Sequence, residues 1–162
     1  MVADGMLTRK RYREVPPRVD YELTERAREL MPILGELARW GYEWAWSSPR
    51  SSESIDLGAI FRLAPGLVRA SRLSGKVEAT VREDGQTTTY TLTLSEQGAT
   101  VLERPAGADA TVSGTRSAWI DAFSPGGDRG GLKVGGKREL AEALLDELTP
   151  VASREIAARD VA

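Results

Sequence analysis

Hydrophobic and polar positions change rhythm along this chain, and each rhythm predicts an element. Val19, Tyr21 and Leu23 alternate with Asp20 and Glu22, the period-two signature of a half-buried strand. Met6–Tyr12 reads as its partner, with Leu7 turned inward and Tyr12 a second candidate. Between them Pro16–Pro17 cannot continue a ladder, because neither residue has an N–H to donate, so the pair stiffens a turn. The three parts make a β-hairpin. Thr24 is a good N-cap, with Glu25 in the first turn where the helix dipole favours negative charge. The spacing of Leu30, Ile33, Leu34, Leu37, Trp40, Gly41 and Trp44 predicts one long helix running to about Trp46. Pro32 falls inside it and is expected to bend it. Trp40, Trp44 and Trp46 load the end of that helix with aromatic surface, which either packs onto a following domain or forms a dimer seam.

Ser47–Ser54 is polar and serine-rich and reads as a linker. Beyond it, Ile60, Phe61, Ala64, Leu67 and Val68 keep helical spacing, interrupted by Pro65–Gly66. Val77, Ala79 and Val81 share one face of a strand. Asp84–Gly85 signals a tight hairpin, and Tyr90, Leu92 and Leu94 alternate with threonines on the return strand. Further strands are expected through Val101, at Ala110–Ser113 and at Leu132–Val134. Two helices complete the pattern. One carries Ala118, Trp119, Ala122 and Phe123 on a face, and the other runs over Lys137–Leu148 with Leu140, Ala141, Leu144, Leu145 and Leu148 buried. The division is therefore residues 1–46, a linker at 47–54, a second domain at 55–149 and a tail at 150–162. The overall class is α+β, and the sheet of the second domain reads as antiparallel.

Composition narrows the chemistry. Cys and His are both absent, which removes disulfides, thiol catalysis, the usual zinc ligand sets and any histidine-based triad. No two carboxylates are placed together by the pattern, so no enzyme and no cofactor are expected. No apolar run approaches the ~20 residues of a membrane span. The start also lacks the charged-then-apolar pattern of a signal peptide, so a cytoplasmic location is the default. Net charge is −2, yet Arg9, Lys10, Arg11, Arg13 and Arg18 face a single acid, Glu14, between Arg9 and Arg18. Positive charge is local and sits on the hairpin. Gly131–Lys137 (GLKVGGK) has the glycine and lysine spacing of a phosphate loop, but Arg138 stands where Ser or Thr is needed, so these glycines read as a turn.

The stretch GMLTRKRYREVPPRVDYELTERARELMPILGELARWG resembles the C-terminal half of an HxlR-type winged helix-turn-helix regulator. The likeness lies in the basic strand Gly5–Arg11, the wing Glu14–Val19, the Tyr21–Thr24 cap, the Met31–Leu34 core and Trp40; Ala27 stands where the family usually has Gly. It implies that Arg9, Lys10, Arg11, Arg13 and Arg18 face DNA phosphates or the minor groove. The family's recognition helix lies upstream of this wing, so the stretch is a winged-helix remnant, expected from either a late start codon or a truncated paralogue. The second half resembles a sterol-carrier-protein-like (SCP-2-type) domain, on Asp109–Gly114, Trp119, the Ser124–Gly131 loop and the Leu-Lys-Val-Gly-Gly before the last helix. That resemblance implies a cavity for acyl chains or other lipids, with Phe61, Leu67, Tyr90, Trp119, Phe123 and Leu132 as lining candidates. A Trp/Phe pair at helical spacing also suits a plain core. Two functions follow: a transcriptional regulator, dimeric with itself or with an intact relative, that contacts DNA through its wing and senses a hydrophobic ligand; or a non-enzymatic carrier with a vestigial wing.

Overall fold

The computed structural model describes residues 1–12, 18–45, 53–69, 73–124 and 126–149. Arg13, the Pro16–Pro17 turn, Trp46, most of the expected linker and the 150–162 tail lie outside the described residues. Strands β1 (Leu7–Tyr12) and β2 (Arg18–Leu23) pair antiparallel, from Leu7 opposite Leu23 to Tyr12 opposite Arg18. The Thr24 hydroxyl donates to the Gly5 carbonyl at 2.7 Å and accepts from the Ala27 N–H at 3.3 Å, so one residue closes the hairpin and caps the next helix.

That helix is not continuous. It divides into α1 (Glu25–Arg28) and α2 (Met31–Trp44). Pro32 is the reason: it has no N–H for the carbonyl four residues back, and its ring crowds that carbonyl. It therefore sits in the first turn of α2, where a missing N–H costs nothing, rather than bending a longer helix. A similar break gives α3 (Leu57–Arg62) and α4 (Ala64–Leu67), with Leu63 between them and Pro65 in the first turn of α4. Asp56 caps α3 by accepting from the Ala59 N–H at 3.2 Å.

The second unit is built on a five-stranded sheet of order β5-β4-β3-β6-β7, formed by β3 (Gly75–Glu83), β4 (Gln86–Ser95), β5 (Gly98–Leu102), β6 (Ala110–Thr115) and β7 (Lys133–Gly136). Asp84 and Gly85 both take positive φ, 48° and 77°, so the β3–β4 turn is the tight one their sequence announces. The sheet is mixed, which corrects the antiparallel expectation: β6 runs parallel to β3. The crossover from β5 to β6 is a short irregular segment, well below the usual dozen residues, so no helical pattern betrays it. It crosses the sheet on the face away from the helices. There the Glu78 carboxylate accepts from the Ala106 N–H at 3.1 Å and the buried Thr91 hydroxyl donates to the Arg104 carbonyl at 2.7 Å. On the other face α3, α4, α5 (Arg116–Phe123) and α6 (Arg138–Leu148) cover Val77, Ala79, Val81, Tyr90, Leu92, Leu94 and Val112.

Candidate functional site

The hairpin sorts its charges by the pleat. Register places Leu7, Arg9 and Arg11 opposite Leu23, Tyr21 and Val19, and Thr8 and Lys10 opposite Glu22 and Asp20. Successive side chains alternate sides, so Arg9 and Arg11 share a face with Val19, Tyr21 and Leu23, while Lys10 points the other way among acids. Lys10 Nζ lies 2.7 Å from a Glu22 carboxylate oxygen, and that hydrogen bond and charge raise its pKa above the ordinary lysine value. Neither Arg9 nor Arg11 makes an ion pair among the described residues. Arg18 takes its place in β2, and Arg13 falls outside the described residues. Among the described residues, Arg9 and Arg11 thus form a guanidinium face without ion pairs, and Lys10 is neutralised on the reverse.

Helix α2 presents two faces. Met31, Gly35, Ala38 and Tyr42 follow one another at helical spacing on one side, and Ile33, Leu37, Trp40 and Trp44 on the roughly opposite side at ~100° per residue. The small-residue side is the covered one. Gly35 is buried against Gly66 of α4, so close that a Cβ on Gly35 would stand 1.9 Å from the Gly66 carbonyl oxygen and one on Gly66 would stand 2.0 Å from the Met31 oxygen. Burial alone pushes the Tyr42 hydroxyl above its ordinary pKa. Polar contacts flank the crossing. Arg39 donates to the Leu67 carbonyl, one of the carbonyls left open at the end of α4, and to Glu36 at 2.7 Å; Arg69 reaches the same Glu36 carboxylate at 3.1 Å. The opposite side stays bare, with Ile33 64%, Leu37 60%, Trp40 59% and Trp44 71% exposed. Of the two roles open to the tryptophans, packing onto the second unit is therefore not the one Trp40 and Trp44 take.

The proposed lining residues mostly fill the core with one another. Phe61 stacks on Tyr90 at 4.8 Å between ring centroids, meets Trp119 edge-on at 5.1 Å and lies 5.9 Å from Phe123; Trp119 and Phe123 are 5.4 Å apart. All four are buried, and Trp119 Nε1–H donates to the Thr80 carbonyl at 3.0 Å. Leu67 is buried in the same core, and Leu132 packs half-buried at its margin. A cavity of about 310 Å³ lies at one edge of this cluster. Tyr90 lines it together with Leu57, Val81, Glu83, Asp84 and Arg116. Arg116 is already engaged, by Glu83 at 2.9 Å and by the Ile55 carbonyl at 2.8 Å. Desolvation raises the Tyr90 pKa above the ordinary tyrosine value. Among the described residues no group of three or more Asp or Glu is arranged to hold a metal ion, and no helix is long and apolar enough to cross a membrane.

The N-terminal hairpin, its capped helix and the α2 stripe belong to one stretch of sequence, and that stretch has relatives. Residues 1–49 match the HxlR-like helix-turn-helix family. Over 39 residues this HxlR-like segment is 56% identical to an uncharacterized HTH-type transcriptional regulator of Halalkalibacterium halodurans; the match takes in 24% of this chain and 34% of the relative. The chain thus spans about a third of the length of that curated relative. Among solved structures, a conserved hypothetical protein of Thermus thermophilus is similar with a TM-score of 0.46 and 21% identity, over 67% of this chain and 97% of the other. Palmitated SCP2L2 of Aedes aegypti is similar with a TM-score of 0.45 and 16% identity, over 58% and 95%. What the sequence did not reveal is the set Gly35, Glu36, Arg39 and Gly66. The available signal was a glycine and an alanine three apart inside a helix that otherwise carries large side chains.

Proposed function

We propose that the chain acts as a transcriptional regulator, with a DNA-contacting wing and dimer helix in residues 1–46 and a hydrophobic-ligand sensor in residues 55–149. The observation that carries this reading is the free guanidinium face of the HxlR-like hairpin. Among the described residues Arg9 and Arg11 have no acidic partner, in a chain of net charge −2 where an exposed positive edge suits phosphate oxygens. Arg13 and Arg18 would add positive charge to the same hairpin, and Lys10 would stay with Glu22. Dimerisation would use Ile33, Leu37, Trp40 and Trp44, because an exposed aromatic and aliphatic stripe of this kind suits the centre of an interface. Ligand entry would proceed beside Tyr90, which belongs both to the cavity wall and to the aromatic cluster, so that an apolar molecule displaces Phe61 from its ring partners. No step of this function is enzymatic and none needs a cofactor.

Salt-dependent DNA binding tests it. Fluorescence anisotropy with a labelled duplex, titrated at stepped salt, should show binding in the non-specific range of about 10⁻⁴–10⁻⁶ M, weakening as salt rises. Arg9→Ala and Arg11→Ala should each reduce the slope of log K against log salt by about 0.9, and Lys10→Ala by clearly less. An absence of retention at low salt would remove the regulator reading. What would remain is a non-enzymatic carrier of hydrophobic molecules with a vestigial wing, identified by native mass spectrometry of a co-purified lipid.

A further inference from the structure

We infer that the Gly35–Gly66 crossing is the joint through which the packing state of the aromatic core reaches α2. The inference deepens the proposed sensing role and rests on it for its biological sense, but the joint itself is physical and is tested without DNA or ligand. The route is short. Phe61 stands at the centre of the cluster, touching Tyr90, Trp119 and Phe123. It belongs to α3, and Leu63 alone separates α3 from α4. The Leu63 N–H donates to the Ala59 carbonyl of α3 at 2.9 Å while its carbonyl accepts from the N–H groups of Gly66 at 2.8 Å and Leu67 at 3.0 Å, so one residue closes α3 and opens α4. Gly66 then meets Gly35 backbone to backbone, with no side chain between them to absorb a shift. Arg39 on the Leu67 carbonyl and Arg69 on Glu36 tie α2 to the C-terminal end of α4 beside the crossing. A displacement of Phe61 therefore moves the element that α2 rests on. On its far side α2 carries Ile33, Leu37, Trp40 and Trp44, so the dock and the bare stripe are two faces of one rigid rod.

Hydrogen exchange read by mass spectrometry on the full chain tests the joint. Gly66→Ala lies outside α2, yet it should speed exchange across residues 31–44 about tenfold or more while β3 and β4 keep their protection. Gly41→Ala, in the same helix but with open space around it, should not speed it. Phe61→Leu should raise α2 exchange in the wild-type chain and add nothing in a chain that already carries Gly66→Ala. The inference is overturned if Gly66→Ala leaves α2 exchange at the wild-type rate with the sheet intact, or if Phe61→Leu acts on α2 equally in the presence and absence of Gly66→Ala. Should Gly66→Ala also unprotect the sheet, Arg39→Met, which removes the hold on Leu67 without added bulk, makes the same test: faster α2 exchange supports the joint and an unchanged rate overturns it. Sedimentation on the same samples separates the two readings. A monomer whose α2 still responds to Phe61→Leu keeps the joint and loses the dimer seam.

Discussion

Two glycines of one helix should answer the same substitution in opposite ways. Gly35 and Gly41 both lie in α2, and alanine in place of either gains up to about 1 kcal/mol of helix propensity. At Gly41 nothing lies within 4 Å of the added methyl, so that gain is all there is. At Gly35 the methyl would stand 1.9 Å from the Gly66 carbonyl oxygen and 2.3 Å from its carbon. Ordinary contact is near 3.4 Å, so α2 must retreat by roughly 1.5 Å from a neighbour that is backbone and cannot rotate away. Overpacking of this kind costs about 1–3 kcal/mol, with the upper end expected for backbone against backbone, and the retreat also loosens Arg39 from Leu67. Set against the propensity gain, Gly35→Ala should destabilise by about 2 kcal/mol and Gly41→Ala should stabilise by up to about 1. For a chain of this size that is a fall in Tm of about 4–8 °C beside a rise of about 2–4 °C. Thermal melts followed by tryptophan fluorescence read both. If the two alanines shift Tm in the same direction by similar amounts, the close crossing of α2 over α4 is not the packing of this protein in solution.

Other substitutions probe the remaining parts. Leu37→Glu places a charge in the middle of the bare α2 stripe, and sedimentation equilibrium should show self-association weakened about tenfold or more with the melting temperature little changed. Trp119→Phe leaves the Thr80 carbonyl without its indole donor and opens space in the aromatic cluster; denaturant unfolding should record a loss of about 2–4 kcal/mol. Asp109 accepts from the Lys76 N–H at 3.0 Å and then from Lys137 Nζ at 3.0 Å, which holds its pKa below the ordinary aspartate value. Its contribution is therefore present above about pH 4 and lost as pH falls through the lowered value. Asp109→Asn should lower Tm at neutral pH, with the gap to wild type closing in acid, and a gap that is constant with pH would contradict the assignment.

How far the fold could be read depended on whether its causes were local. The Asp84–Gly85 turn, the Thr24 cap and the buried stripe of α6 each follow from residues adjacent in sequence, and each stands where the pattern put it. The parallel β3–β6 pairing was not legible, because its cause is a short crossover held by Glu78 and Thr91, contacts that no periodicity records. Pro32 is visible in the sequence, but its consequence is not. A proline inside a hydrophobic stripe marks a bend or a new start, and only the break after Arg28 decides which. At the candidate site, the concentration of basic residues was visible, but not that β-pleating sets Lys10 against Glu22 and leaves Arg9 and Arg11 clear. The cluster of Phe61, Tyr90, Trp119 and Phe123 was found as a set of residues. Whether they ring a void or fill it is a matter of packing distance, and centroid separations between 4.8 Å and 5.9 Å place them against one another.

The division of labour on α2 explains why its largest side chains are the ones left in water. A helix that docks by close backbone approach needs its smallest residues at the contact, and Gly35 with Ala38 supplies them. Trp40 or Trp44 on that side would hold the helices apart and deny Arg39 its reach to the Leu67 carbonyl. Both tryptophans, with Ile33 and Leu37, therefore lie on the opposite side, clear of the backbone contact. Their exposure has a cost of its own, since four large apolar side chains in a row invite association. A solitary chain with this dock could carry polar residues at positions 33, 37, 40 and 44 without disturbing the crossing. That it carries Ile, Leu, Trp and Trp is the feature on which the proposed dimer rests, and the Leu37→Glu measurement decides it.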